Sequence, residues 1–220
     1  MMEEEVKITD YDIIKEVGSI CACSSTLVFS QMIDRSIELE APKLDVVRCD
    51  NIEAVIKTDN TIVVGVHTQI LTGVKGQVSL LFTEKSAYEF VSIFRSKEKK
   101  HSLLTALGVS AIKEVGNIVV SAYSGAMSLL LDVPVMPSIP MLSSGPLSEV
   151  IKFGFNSLEG NHEELYVHTM TFKDELKKIS GSFYFLIEPV AVKQITQTLR
   201  LQLGKIETVK EKFKGLKGYK

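Results

Sequence analysis

Apolar and polar positions along this chain follow two periods, and the periods alternate in the same order twice. From about residue 8 to 33, and again from about 102 to 131, apolar residues recur at steps of three and four, which predicts amphipathic helices. An extended stretch follows each, at about 36–48 and 134–143, and then a short helical piece, 51–57 and 146–152. Runs rich in β-branched and aromatic residues predict two strands per half, at 61–71 and 75–83 and at 164–173 and 180–188. Each half closes on a helix, about 84–96 and 190–203, and the charged stretch 95–101 joins the halves.

The second half is a copy of the first. Ile14-Lys15-Glu16-Val17-Gly18 returns as Ile112-Lys113-Glu114-Val115-Gly116, an offset of 98 residues. The same offset relates Ile20 to Ile118, Ser30 to Ser128, Asp34 to Asp132 and Pro42 to Pro140. Further on, Val66-His67-Thr68 aligns with Val167-His168-Thr169, and residues 76–82 align with 181–187. The growing offset predicts inserted residues near 156–163 or 174–178. The expected fold is α/β: a single pseudo-two-fold domain over 1–220, with repeat one at about 8–96, repeat two at about 102–203 and a basic tail at 204–220. Its strands would pair across the copies into one shared sheet with helices on its faces, because half of it could not bury both faces of its own sheet.

The leading helices carry an unusual polar stripe. Ser110, Glu114, Asn117, Ser121, Ser124 and Ser128 share one face, opposite a core stripe of Ile112, Val115, Val119, Ala122, Ala126 and Leu130. In the first copy the stripe reads Asp12, Glu16, Ser19, Cys23, Thr26 and Ser30. A plain solvated face usually carries long Lys, Glu, Gln or Arg side chains. This one holds small hydroxyls and a Gly116-Asn117 pair that costs about 1.5 kcal/mol of helix propensity against alanine. That cost points to a close backbone approach at Gly116 and a use for the amide of Asn117, with a solvated face as the alternative.

Glu114 and Asn117, one turn apart, make a projecting tooth rather than a pocket. No histidine accompanies them as a general base, and no Gly-rich phosphate loop is present. His67 and His168 fall in predicted strands, where their repeat position accounts for them. A tooth can act inside a partner's site. An amide can hold a water in line with a phosphoryl group, and a carboxylate can dock on a partner's lysine.

Composition narrows the setting. The net charge of −2 over 220 residues argues against a dedicated nucleic-acid binder. The start, MMEEEVKITD, has no secretory pattern, and no run nears the roughly 20 apolar residues of a membrane span, so a cytoplasmic protein is expected. Cys21, Cys23 and Cys49 read as reduced thiols, Cys21 in the core and Cys23 on the polar stripe, without the spacing of a zinc site. Residues 205–220, with six lysines and two glutamates, read as a solvated, poorly ordered end, with a basic arm that attracts an acidic partner as the alternative.

At the stripe the chain resembles the CheC/CheX/FliY family of chemotaxis phosphatases. That family's site is Asp or Ser, three residues, Glu, two residues, Asn, twenty-two residues, Pro. Ser110, Glu114, Asn117 and Pro140 match it at every spacing, and so do Asp12, Glu16, Ser19 and Pro42, with serine in place of asparagine. Length and paired sites are closest to CheC. The resemblance covers nearly the whole chain. It implies hydrolysis of the aspartyl phosphate of a CheY-type response regulator, with Glu114 on the regulator's lysine and Asn117 orienting the attacking water. It further implies that Ser110 and Pro140 shape the site, that Mg²⁺ resides on the regulator so that this chain needs no cofactor, and that the first, degenerate site is weak or silent. Two other readings follow from it: a non-catalytic docking module of the flagellar switch, and an adaptor for CheD.

Overall fold

A computed structural model describes residues 8–49, 61–94, 106–156, 158 and 163–216 of the chain. The elements run α1 (Asp10–Ile33), β1 (Ile37–Leu39), β2 (Lys43–Arg48), β3 (Ile62–Ile70), β4 (Gly76–Thr83), α2 (Glu84–Phe94), α3 (Ala106–Leu131), β5 (Met141–Pro146), α4 (Leu147–Asn156), β6 (Glu164–Asp174), β7 (Ser180–Ile187) and α5 (Pro189–Leu216). A capping box starts α1: Asp12 N–H donates to Thr9 Oγ1 at 3.2 Å, and Thr9 N–H donates to Asp12 Oδ2 at 3.0 Å. α1 and α3 end alike, on Asp34 and Asp132 in the left-handed conformation at φ 51° and 53°. Just before these stops, Ser30 Oγ donates to Arg35 O and Ser128 Oγ donates to Val133 O, each at 2.6 Å. The repeated Ser/Asp pairs therefore terminate helices.

The strands form one antiparallel sheet in the order β1-β6-β7-β4-β3-β5, with β2 beside β1 on the free side of β6. Each copy sends its extended segment to the other: β2 pairs with β6, and β5 pairs with β3. At the centre β4 pairs with β7, where Ser79 faces Tyr184, its own counterpart at the 105-residue offset of residues 76–82 and 181–187. The pseudo-two-fold axis passes between them. α1 and α3 pack with α2 and α5 over one face, around buried Phe29, Phe82, Tyr123 and Phe172. α4 covers the other face with Val150 and Ile151 on Val63, Leu81 and Leu186.

The register corrects one alignment. Val66 pairs with Leu142, and His168 pairs with Leu44, the counterpart of Leu142 at offset 98. The structural counterpart of Val66 is thus His168, one residue on from the letter match. A one-residue slip turns a strand side chain to the opposite face. His67 accordingly lies under α4, its ring 5.2 Å from Phe153, whereas His168 lies under α1. The two histidines do not share a repeat position.

Other boundaries shift for local reasons. The first extended stretch splits into β1 and β2 at Pro42, which has no N–H for a ladder. The second runs on to Pro146 as β5. α5 continues to Leu216 rather than ending near 203, through a lysine- and glutamate-rich sequence that favours helix, so the tail is not simply an unstructured end. The short helix expected at 51–57 and the link at 95–101 lie outside the described residues. α1 and α3 pass a membrane-span test by length and composition alone, and about half of each such window (50% and 44%) is buried inside the protein.

Candidate functional site

Gly116 sets the height of α3 above the sheet. A Cβ there would lie 2.5 Å from Val66 Cγ1, so only glycine lets the helix sit so close. The neighbouring polar residues face outward: Asn117 is half-buried, and Glu114 and Ser110 are exposed. Ser110 Oγ donates to Ala106 O at 3.0 Å, which ties it to its own helix. Val66 is in register with Leu142, and Pro140 lies two residues before Leu142. Half-buried Pro140 thus stands just before β5, two residues along from the position opposite Val66.

The first copy reproduces this frame with different chemistry. Gly18 sits over the His168 ring, 2.7 Å from a would-be Cβ, and His168 is in register with Leu44, two residues past Pro42. Glu16 is exposed and Ser19 half-buried. Ser19 Oγ, however, donates back to Lys15 O at 2.6 Å. Asp12 belongs to the capping box, where the Thr9 hydroxyl and N–H hold its carboxyl below the usual range.

Only the first half of each stripe is a free surface. Ser124 and Thr26 are buried, and Ser128 and Ser30 serve the helix stops. Here α1 and α3 pack on each other, with Ser25 Oγ donating to Val119 O at 3.0 Å. What remains outward is Ser110, Glu114, Asn117 and Ser121 on α3, and Asp12, Glu16 and Cys23 with half-buried Ser19 on α1. Sequence reading passed over two apolar members of this surface, Ile118 and Ile20, which are 36% and 40% exposed. Their identity at one offset was visible, but their exposure depends on how the helices pack.

The histidines stand apart from this surface. His67 Nδ1 and Nε2 lie 2.8 Å from Ser79 Oγ and 2.7 Å from Ser143 Oγ, and burial pushes its pKa down to about 4. Burial likewise brings His168 down to about 4, against an opposing hydrogen bond to the Lys15 backbone. Cys21 is buried, its thiol pushed up to about 12; Cys23 is exposed. Among the described residues no three His, Cys, Asp or Glu side chains gather as a metal site.

No protein-family model matches the chain. The chain is 24% identical over 190 residues to the CheY-P phosphatase CheC of Bacillus subtilis (strain 168), covering 83% of this chain and 89% of that protein. Its fold matches that of Thermotoga maritima FliY with a TM-score of 0.70 at 20% identity, over 90% of this chain and 98% of the other. The chain is similar in sequence to a CheC protein and shares the fold of the FliY and CheX structures. The fold extends to the FliM middle domain from H. pylori, with a TM-score of 0.59 at 10% identity, over 88% of this chain and 99% of that one. Glu114 and Asn117 stand on the outward face of α3.

Proposed function

We propose that the protein dephosphorylates a CheY-type response regulator, with Glu114 and Asn117 as its working residues. The placement of Asn117 carries this reading. Gly116 seats the helix on Val66, and the next side chain is an amide beside the exposed carboxylate of Glu114 one turn back. Glu114 pairs with the regulator's active-site lysine and fixes the register. Asn117 enters the regulator's site and holds a water in line with the phosphorus. The water's oxygen bonds to phosphorus, the bond from phosphorus to the aspartyl oxygen breaks, and inorganic phosphate leaves. Ser110 and Pro140 shape the site, and the regulator supplies Mg²⁺. The setting is cytoplasmic, with neither nucleic acid nor membrane as partner.

The test is the decay of a phosphorylated CheY-type receiver with Mg²⁺, with and without the protein. Wild type is expected to speed the decay, and Asn117→Ala to lose on the order of 10²-fold of that acceleration. Binding of the phosphorylated receiver with unchanged decay would replace the enzyme reading by a second one, a docking module or CheD-binding adaptor. That reading is favoured by the likeness to the FliM middle domain and by the Ser19 hydroxyl turned onto its own helix.

A further inference from the structure

A groove of about 470 Å³ runs between α1 and α5, on the side of the molecule that holds the first copy's site. Ile13, Val17 and Ile20 of α1 and Leu199 and Leu203 of α5 line it with apolar surface. Ile20 and Leu203 are 40% and 48% exposed. Asp12 and Glu16 also line it and make its α1 side acidic. Among the described residues Glu16 has no basic partner, whereas Asp10 nearby is taken by Arg200 at 2.8 Å. On α1 the lining runs from Asp12 to Ile20, about 12 Å at the helical rise, or about two turns of a docked helix.

An apolar channel with an acidic rim fits an amphipathic helix that carries lysines beside its apolar positions. This chain contains such a segment. Residues 205–220 hold six lysines against two glutamates, and in the sequence Ile206, Val209, Phe213 and Leu216 recur at steps of three and four. We propose that the groove receives the basic C-terminal segment of a second copy of this chain. α5 is one continuous helix through Leu216, and its own Leu199 and Leu203 form a wall of the groove. Because the helix is continuous, residues 205–216 of a copy prolong the axis of that wall and do not turn back into the channel beside it. A segment from a second copy can lie in the channel, with its lysines toward Asp12 and Glu16. Asn117 stands on the other leading helix, so the inference does not rest on the phosphatase reading.

Sedimentation of the full chain over a range of concentrations tests this. A reversible dimer is expected, its dissociation constant rising about ten-fold or more when salt goes from about 0.1 M to about 1 M and the screening length falls from about 10 Å to about 3 Å. Glu16→Lys, or Lys210→Glu with Lys214→Glu, should each weaken the dimer similarly, and combining the two sets should restore it. A labelled peptide of residues 205–220 should bind the unmodified chain and lose about ten-fold in affinity to Leu203→Asp. A chain that stays monomeric at every concentration, or a peptide that does not bind, overturns the proposal. So does a dimer that neither charge reversal weakens, since it would use another face.

Discussion

Ser19 and Asn117 occupy the same place in two copies of one helix, and they differ in reach. The Ser19 hydroxyl spends its proton on Lys15 O at 2.6 Å, whereas an asparagine amide is long enough to leave the helix surface. If that difference is what silences the first copy, Ser19→Asn in an Asn117→Ala background should return part of the lost receiver dephosphorylation. A double variant as inactive as Asn117→Ala would mean that Asp12, bound into the Thr9 cap, leaves the first site incomplete as well. The buried histidines predict the acid behaviour. Each has its pKa lowered by burial from 6.5 to about 4, so the folded state takes up fewer protons than the unfolded chain in between. Stability is then fully present above about pH 6.5 and is lost as pH falls toward about 4, by at most about 3 kcal/mol for each ring. Denaturant melts at about pH 7 and about pH 4.5 should show the loss, and His67→Gln with His168→Gln should reduce it.

The two leading helices show which parts of the site were legible in the sequence. The Gly116-Asn117 pair stood out because a mid-helix glycine is costly, and Val66 supplies the reason for it. Gly116→Ala would push a Cβ to 2.5 Å from Val66 Cγ1, so it should lower stability by about 1–3 kcal/mol and activity by more than stability alone explains. Gly125→Ala is the control on the same helix. Nothing lies within 4 Å of its Cβ, and it should stabilise by up to about 1 kcal/mol in a thermal melt. Helical periodicity could not show that Ser124 and Thr26 turn toward protein, because a neighbouring helix and water occupy the same angular sector of a stripe. Nor could letters reveal that Val66 corresponds to His168. Val-His-Thr reads alike in either register, and only the pairing of β2 with β6 and of β5 with β3 decides which face each residue takes.

At the scale of the molecule, the exchange of strands makes each half dependent on the other. β3 of the first copy lies between β4 and β5, and β5 comes from the second copy; β6 of the second is edged by β1 and β2 of the first. The leading helices cross over too: Gly18 of α1 rests on His168, and Gly116 of α3 rests on Val66. A half on its own would therefore leave the central edge of β4 or β7 open and would lose the helix that covers its first strand. Cutting the chain within 95–101 should yield two fragments that show no cooperative melting when separate and regain it when mixed in equal amounts, followed by circular dichroism. The mixture should also recover receiver dephosphorylation, because Asn117 regains its height above the sheet only when β3 lies beneath it. A fragment that melted cooperatively as a monomer would mean that the shared sheet is not what holds the halves together, and that the packing within each copy suffices.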